Sequence, residues 1–143
     1  MTLAFSPSAP TDGYAIACRR AVIQAYARSV ATVLTVRGGV DALNDDCVYR
    51  HLNRFRRLNT VLIIDITEAD VADLRALRSF AAGDPGIAMA IVARPEDAAA
   101  LRVPIDGDVV AIHDTVADAV QAVVRDIQAR REPRSLAPVL RLA

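Results

Sequence analysis

The chain has 143 residues, 53% of them hydrophobic, with 17 arginines and no lysine against 17 acidic residues. That length and apolar content suit one folded domain and exclude a disordered chain. Balanced charge argues against a general nucleic-acid binder, and 4% aromatic residues with no Trp argue against a stacking platform for single strands.

Residues 1 to 13, with two prolines, two serines and Asp12-Gly13, read as a lead-in. They lack the basic residues and long apolar stretch of a signal peptide, and no apolar run reaches the roughly 18 residues that span a bilayer. A soluble, cytoplasmic protein with no membrane contact is expected. Val22–Arg28 and Ala31–Arg37 are strand-like and can join as a hairpin near Ser29. In the second run Val33 and Thr35 point one way and Thr32, Leu34 and Val36 the other, which suits a strand covered on both faces.

Gly38-Gly39 is expected to break that strand. A helix from about Leu43 to Leu58 follows, with Val48, Leu52 and Phe55 as its core stripe. Arg50, Arg54 and Arg57 line the opposite face, which reads first as solvated and second as a surface for an acidic partner or RNA. Asp45 and Asp46 in the first turn and Arg56-Arg57 in the last complement the helix dipole.

Val61–Ile66 is a nearly continuous β-branched and Leu run, the pattern of a central strand buried on both faces. A second helix is expected from about Asp70 to Ala82, with Val71, Leu74, Leu77 and Ala81 inward, stopped by Gly83-Asp84-Pro85-Gly86. Ile87–Ala93 is a strand, Pro95–Leu101 a short helix and Val109–His113 the last strand. A final helix runs from about Thr115 to Arg131, with Val116, Val120, Val123, Val124 and Ile127 inward. The expected organisation is a lead-in (1–13), one α/β domain (14–131) with helices on a mixed, mostly parallel sheet, and a tail (132–143) broken by Pro133 and Pro138.

Enzyme signatures are scarce. Without lysine there is no Gly-x-x-x-x-Gly-Lys phosphate loop, and Gly-x-Gly-x-x-Gly and Gly-x-Ser-x-Gly are absent. Cys18 and Cys47 form no Cys-x-x-Cys pair and read as buried thiols of a reducing compartment. His51 and His113 belong to no His-x-x-x-His or zinc-type Cys/His spacing and read as structural or surface residues. No metal or cofactor is expected. Asp65, Glu68, Asp70 and Asp73 gather after a strand, where α/β folds place ligands. They read either as a magnesium or acid-base cluster or, more plainly, as Asp70 capping a helix and Asp73 favouring its positive end.

The stretch Asp65-Ile-Thr-Glu-Ala-Asp-Val-Ala-Asp-Leu-Arg-Ala-Leu77 resembles the central motif of STAS domains, the family of anti-sigma factor antagonists. There a buried strand ends in Asp-Leu-Ser, and a loop leads to Asp-Ser-Ser/Ala-Gly-Leu and a helix often beginning Leu-Arg-Ala-Leu. Leu74-Arg75-Ala76-Leu77 matches unchanged, Asp70 falls at the family Asp and Ala72 fits the Ser/Ala position. Val71 stands where the family has its phosphorylated serine, Asp73 replaces the glycine, and the loop is short. Gly38-Gly39-Val40-Asp41 resembles the Gly-x-x-Asp that ends the family's second strand.

The resemblance covers about residues 15 to 130. It implies a STAS-like α/β domain and a non-enzymatic regulator that binds an anti-sigma factor, an ATP-binding serine kinase. The implied contact is the loop and first turns of the second helix. The residues assigned to it are Gly38, Asp41, Thr67, Asp70, Val71, Asp73, Leu74 and Arg75. In the family, phosphorylation adds negative charge at this contact and ejects the partner. With Val71 the phospho-switch is missing. Three consequences stay open: a permanently competent binder, Asp70 and Asp73 mimicking phosphate, or Thr67 taking over as acceptor. Val71 packing inward at the helix start is the plainer alternative. A homodimer or scaffold module is the second functional reading, and a small-molecule binder using the carboxylates the third.

Overall fold

The computed structural model describes residues 14–72, 77, 87–102 and 110–131. Six strands form one sheet in the order β1-β2-β3-β4-β5-β6. They are β1 (Tyr14–Cys18), β2 (Ala21–Arg28), β3 (Ala31–Val40), β4 (Val61–Val71), β5 (Ala88–Val92) and β6 (Ala111–His113). The described helices are α1 (Asp45–Leu58), α2 (Pro95–Arg102) and α3 (Val116–Arg131). β1, β2 and β3 pair antiparallel, and β3 through β6 pair parallel.

The two antiparallel connections are tight. Cys18 pairs with Ala21 and Arg28 with Ala31, so each turn has two residues. The first of each, Arg19 (φ 56°) and Ser29 (φ 57°), adopts the left-handed conformation that such turns demand. The hairpin of β2 and β3 is as expected. β1 is an addition that sequence reading left unassigned.

Both faces of the sheet are covered. α1 contributes Val48 and Leu52 to the larger core, α2 contributes Ala98 and Leu101, and Leu77 joins them. These pack on Ile23, Leu34, Val36, Leu62, Ile64, Ile66 and Ile91. On the other face Ala119 and Val123 of α3 meet Val33, Ile63, Ala90 and Val92, with Val116 and Val120 alongside. Leu34 and Val33 thus serve opposite faces, as the alternation predicts.

Three expectations are corrected. Gly38-Gly39 does not end β3; the strand continues to Val40. The segment Asp65–Asp70 is not a loop, and Asp70-Val71 do not open a helix, because β4 runs on to Val71. Gly38 pairs with Ala69, Gly39 with Asp70 and Val40 with Val71, and the Ala72 N–H donates to the Val40 carbonyl at 2.9 Å. The backbone groups expected to be loop or helix are therefore satisfied by the neighbouring strand. Residues 73–76 and 78–82 of the expected second helix lie outside the described residues.

A bulge reconciles this long strand with its side-chain pattern. Thr35 pairs with Asp65 and Arg37 with Glu68, so β4 advances one residue more than β3. Leu62, Ile64 and Ile66 face the larger core before it, and Ala69 and Val71 face the same core after it. Even positions give way to odd ones, which regular alternation forbids and one extra residue permits.

Candidate functional site at the carboxyl ends of the strands

The carboxyl ends of β3 and β4 lie side by side beside the turn joining β1 to β2. A Cβ on Gly38 (φ 89°) would stand 2.1 Å from the Arg20 carbonyl oxygen, and one on Gly39 would stand 2.5 Å from the Arg20 guanidinium. The glycine pair therefore admits the turn, and the Gly39 N–H donates to the Arg20 carbonyl at 3.3 Å. Arg20 in turn meets the Asp41 carboxylate at 2.9 Å.

Asn44 joins three segments here. Its amide donates to the Cys18 carbonyl at 2.9 Å and the Gly39 carbonyl at 2.8 Å, while its Oδ1 accepts the Asp41 N–H at 2.9 Å. It occupies the N-cap position of α1 yet makes no side-chain cap bond, its amide being committed to the strand ends. With 2% of its surface exposed, its four hydrogen-bonding capacities are met largely by backbone, as burial requires. The Asp41 carboxylate accepts the Leu43 N–H at 2.9 Å and so closes the turn into α1.

The bulge in β4 has its own polar device. Buried Asp65 accepts both the Thr67 N–H at 2.9 Å and the Thr67 hydroxyl at 2.7 Å. Glu68 pairs with Arg37 across the strands at 2.9 Å, both exposed. Arg94, just after β5, donates to the Ala69 carbonyl at 2.9 Å and meets Asp97 at 3.1 Å, tying the end of β4 to α2. The carboxylates thus disperse. Asp65 serves the bulge, Glu68 an ion pair, and Asp70 lies exposed in a strand rather than capping a helix. No group of three of them converges among the described residues.

Of the residues assigned to partner binding, Gly38, Asp41, Asp70 and Val71 come together at the ends of β3 and β4. Val71 is half-buried against the larger core, so the inward reading of its side chain holds, although in a strand. Thr67 sits earlier, at the bulge. Asp73, Leu74 and Arg75 lie outside the described residues. Arg50, Arg54 and Arg57 are exposed, on the face of α1 opposite buried Val48 and Leu52.

One grouping was not anticipated from the sequence spacing. Cys18, Cys47 and His51 do form a Cys/His cluster: their ligand atoms all lie within 4.8 Å of one another. Both thiols are free, Cys18 buried and Cys47 half-buried. Burial, reinforced by a hydrogen bond with Cys47 and by its charge, pushes the Cys18 thiol up to about 12, against an opposing pull from Arg50. Burial and the charges of Arg50 and Arg54 hold His51 below the usual imidazole range. The only sequence sign of this cluster was Cys47-x-x-x-His51 at helical spacing. Asn44 and Arg94 carried no motif at all.

No protein-family model matches the chain, and no curated protein matches it. Among solved structures, it is similar to an anti-sigma factor antagonist from Mycobacterium paratuberculosis, with a TM-score of 0.59 at 17% identity. The match covers 72% of this chain and 93% of that one. The fold is therefore the mixed α/β, STAS-like fold of an anti-sigma factor antagonist. No described helix is long and apolar enough to cross a membrane.

Proposed function

We propose that the chain is a non-enzymatic regulatory protein that binds an anti-sigma factor or related serine kinase through the carboxyl ends of β3 and β4. The observation that carries this reading is the fold likeness to an anti-sigma factor antagonist. The pairing of Gly39 with Asp70 and Val40 with Val71 supports it, because it gathers the motif residues on one rim. Asp41 and exposed Asp70 supply charge there, and Asp73, Leu74 and Arg75 complete the contact.

The domain is unswitched in this reading. Val71 has no hydroxyl to phosphorylate. The Thr67 hydroxyl is already donated to a buried carboxylate, which favours a structural role for it over that of a phosphate acceptor. Peptide mass spectrometry of protein from its source cells should find Thr67 unmodified.

The test of binding is a pull-down from source lysate with wild type and Asp70→Lys, read by mass spectrometry. Asp70 is exposed, so the variant keeps its fold. A protein with an ATP-binding kinase domain recovered by wild type alone supports the reading. Equal recovery by both, or none, overturns it. A homodimer or scaffold module is the second reading, favoured by the position of β1 at the sheet's edge. Light scattering showing a stable dimer that Asp70→Lys leaves intact would favour it.

A further inference from the structure

We infer that Cys18, Cys47 and His51 form a three-ligand site for Zn2+, a site whose ligands are distinct from the residues proposed for partner binding. Two sulfurs and an imidazole within 4.8 Å of one another are the ligand types and number that zinc takes when one position stays open. Zn–S bonds of about 2.3 Å and Zn–N bonds of about 2.0 Å put tetrahedral ligand atoms roughly 3.5–3.8 Å apart. The cluster closes on the ion with side-chain adjustments of about 1 Å.

The scaffold holds the ligands from both sides. Cys47 and His51 stand four residues apart on α1, so they share one helix face. Cys18 ends β1 and belongs to the core beneath α1. Its carbonyl is bonded by the buried Asn44 amide at the very start of that helix, which fixes strand end to helix start. The ligands thus come from two rigid elements joined beside the site, the arrangement that keeps a metal site in shape.

Charge and access agree. Two thiolates balance a divalent ion, so the loaded site carries no net charge into the core that holds Cys18. A loaded site also places no cation opposite Arg50, which already acts on Cys18. Cys47 and His51 are half-buried, which gives the ion an entry path and the fourth position a water. Thiolate and imidazole ligands select zinc over magnesium or calcium. Packing accounts for a buried thiol alone, but not for a second thiol and an imidazole converging on it.

The test uses the full chain, reduced with a phosphine and stripped of metal, titrated with Zn2+ against a chromophoric chelator, and separately with Co2+. Wild type should take one equivalent of Zn2+. Cobalt should give a thiolate charge-transfer band in the near ultraviolet and tetrahedral bands in the visible. Cys47→Ser and His51→Gln replace half-buried positions on α1 and keep the helix, which circular dichroism verifies. Each removes a zinc ligand and should weaken zinc by at least the roughly 100-fold that losing an outer-shell partner can cost, and Cys47→Ser should also diminish the charge-transfer band. Zinc bound equally by wild type and both variants, or no saturation of wild type at micromolar zinc, overturns the site.

Discussion

β4 is two strands in one. Before its bulge, Val61–Asp65 runs through the middle of the sheet with Leu62 and Ile64 on one core and Ile63 on the other. After it, the strand keeps one buried edge, Ala69 and half-buried Val71, and turns Glu68 and Asp70 to solvent. The first half is held by apolar burial on two sides; the second is held by pairing, by Asp65 with Thr67, and by Arg94 on the Ala69 carbonyl. The difference separates a part whose side chains stabilise the fold from a part that leaves Glu68 and Asp70 exposed at the sheet's end.

Substitutions can break or sharpen this contrast. Ile64→Ala should have the largest effect, a loss of about 2–5 kcal/mol in denaturant unfolding, because the side chain is wholly buried and a cavity remains. Gly38→Ala, opposite Ala69, should follow. Left-handed strain of about 1–3 kcal/mol is joined by the clash with the Arg20 carbonyl, so the unfolding midpoint falls and the rim distorts. Thr67→Val should cost about 1–2 kcal/mol, since it takes one donor from the buried Asp65 carboxylate. Glu68→Ala should change stability by less than about 1 kcal/mol, as the Arg37 pair is exposed. A Glu68→Ala loss as large as that of Ile64→Ala would erase the distinction between the halves.

The same boundary marks what the sequence made legible. Val61–Ile66 announces itself because burial on both faces demands a nearly continuous apolar run; the helices at 45–58 and 116–131 show through their periodicity, and that at 95–102 through Pro95 in its first turn. Beyond Ile66 the polar residues and the changed alternation hide a strand that only its partner β3 explains. Gly38-Gly39 looks like punctuation because glycine's usual role is to end elements. Here the pair makes room for the Arg19-Arg20 turn, which belongs to a strand too short and alanine-rich to be read alone. The rim where β3 and β4 end, proposed above for partner binding, carries the motif residues Gly38, Asp41, Asp70 and Val71. The cysteine–histidine cluster was not legible in the sequence, because the hairpin and α1 must assemble before Cys18 meets Cys47 and His51.

The bulge also governs which changes of chain length β4 can absorb. Remove Thr67, and Ile66, Glu68, Ala69, Asp70 and Val71 fall into plain alternation with every core side chain still inward and the pairing of Arg37 with Glu68 unchanged. Remove a residue between Leu62 and Ile64, and part of the strand must turn its buried side chains to the opposite face. A single-residue deletion at Thr67 therefore keeps the apolar core side chains inward, though it takes the Thr67 donors from buried Asp65, whereas one a few residues earlier is ruinous. Loss of Thr67 alone would leave the end of β4 in its present register against β3, whereas loss of a residue upstream would shift every residue between.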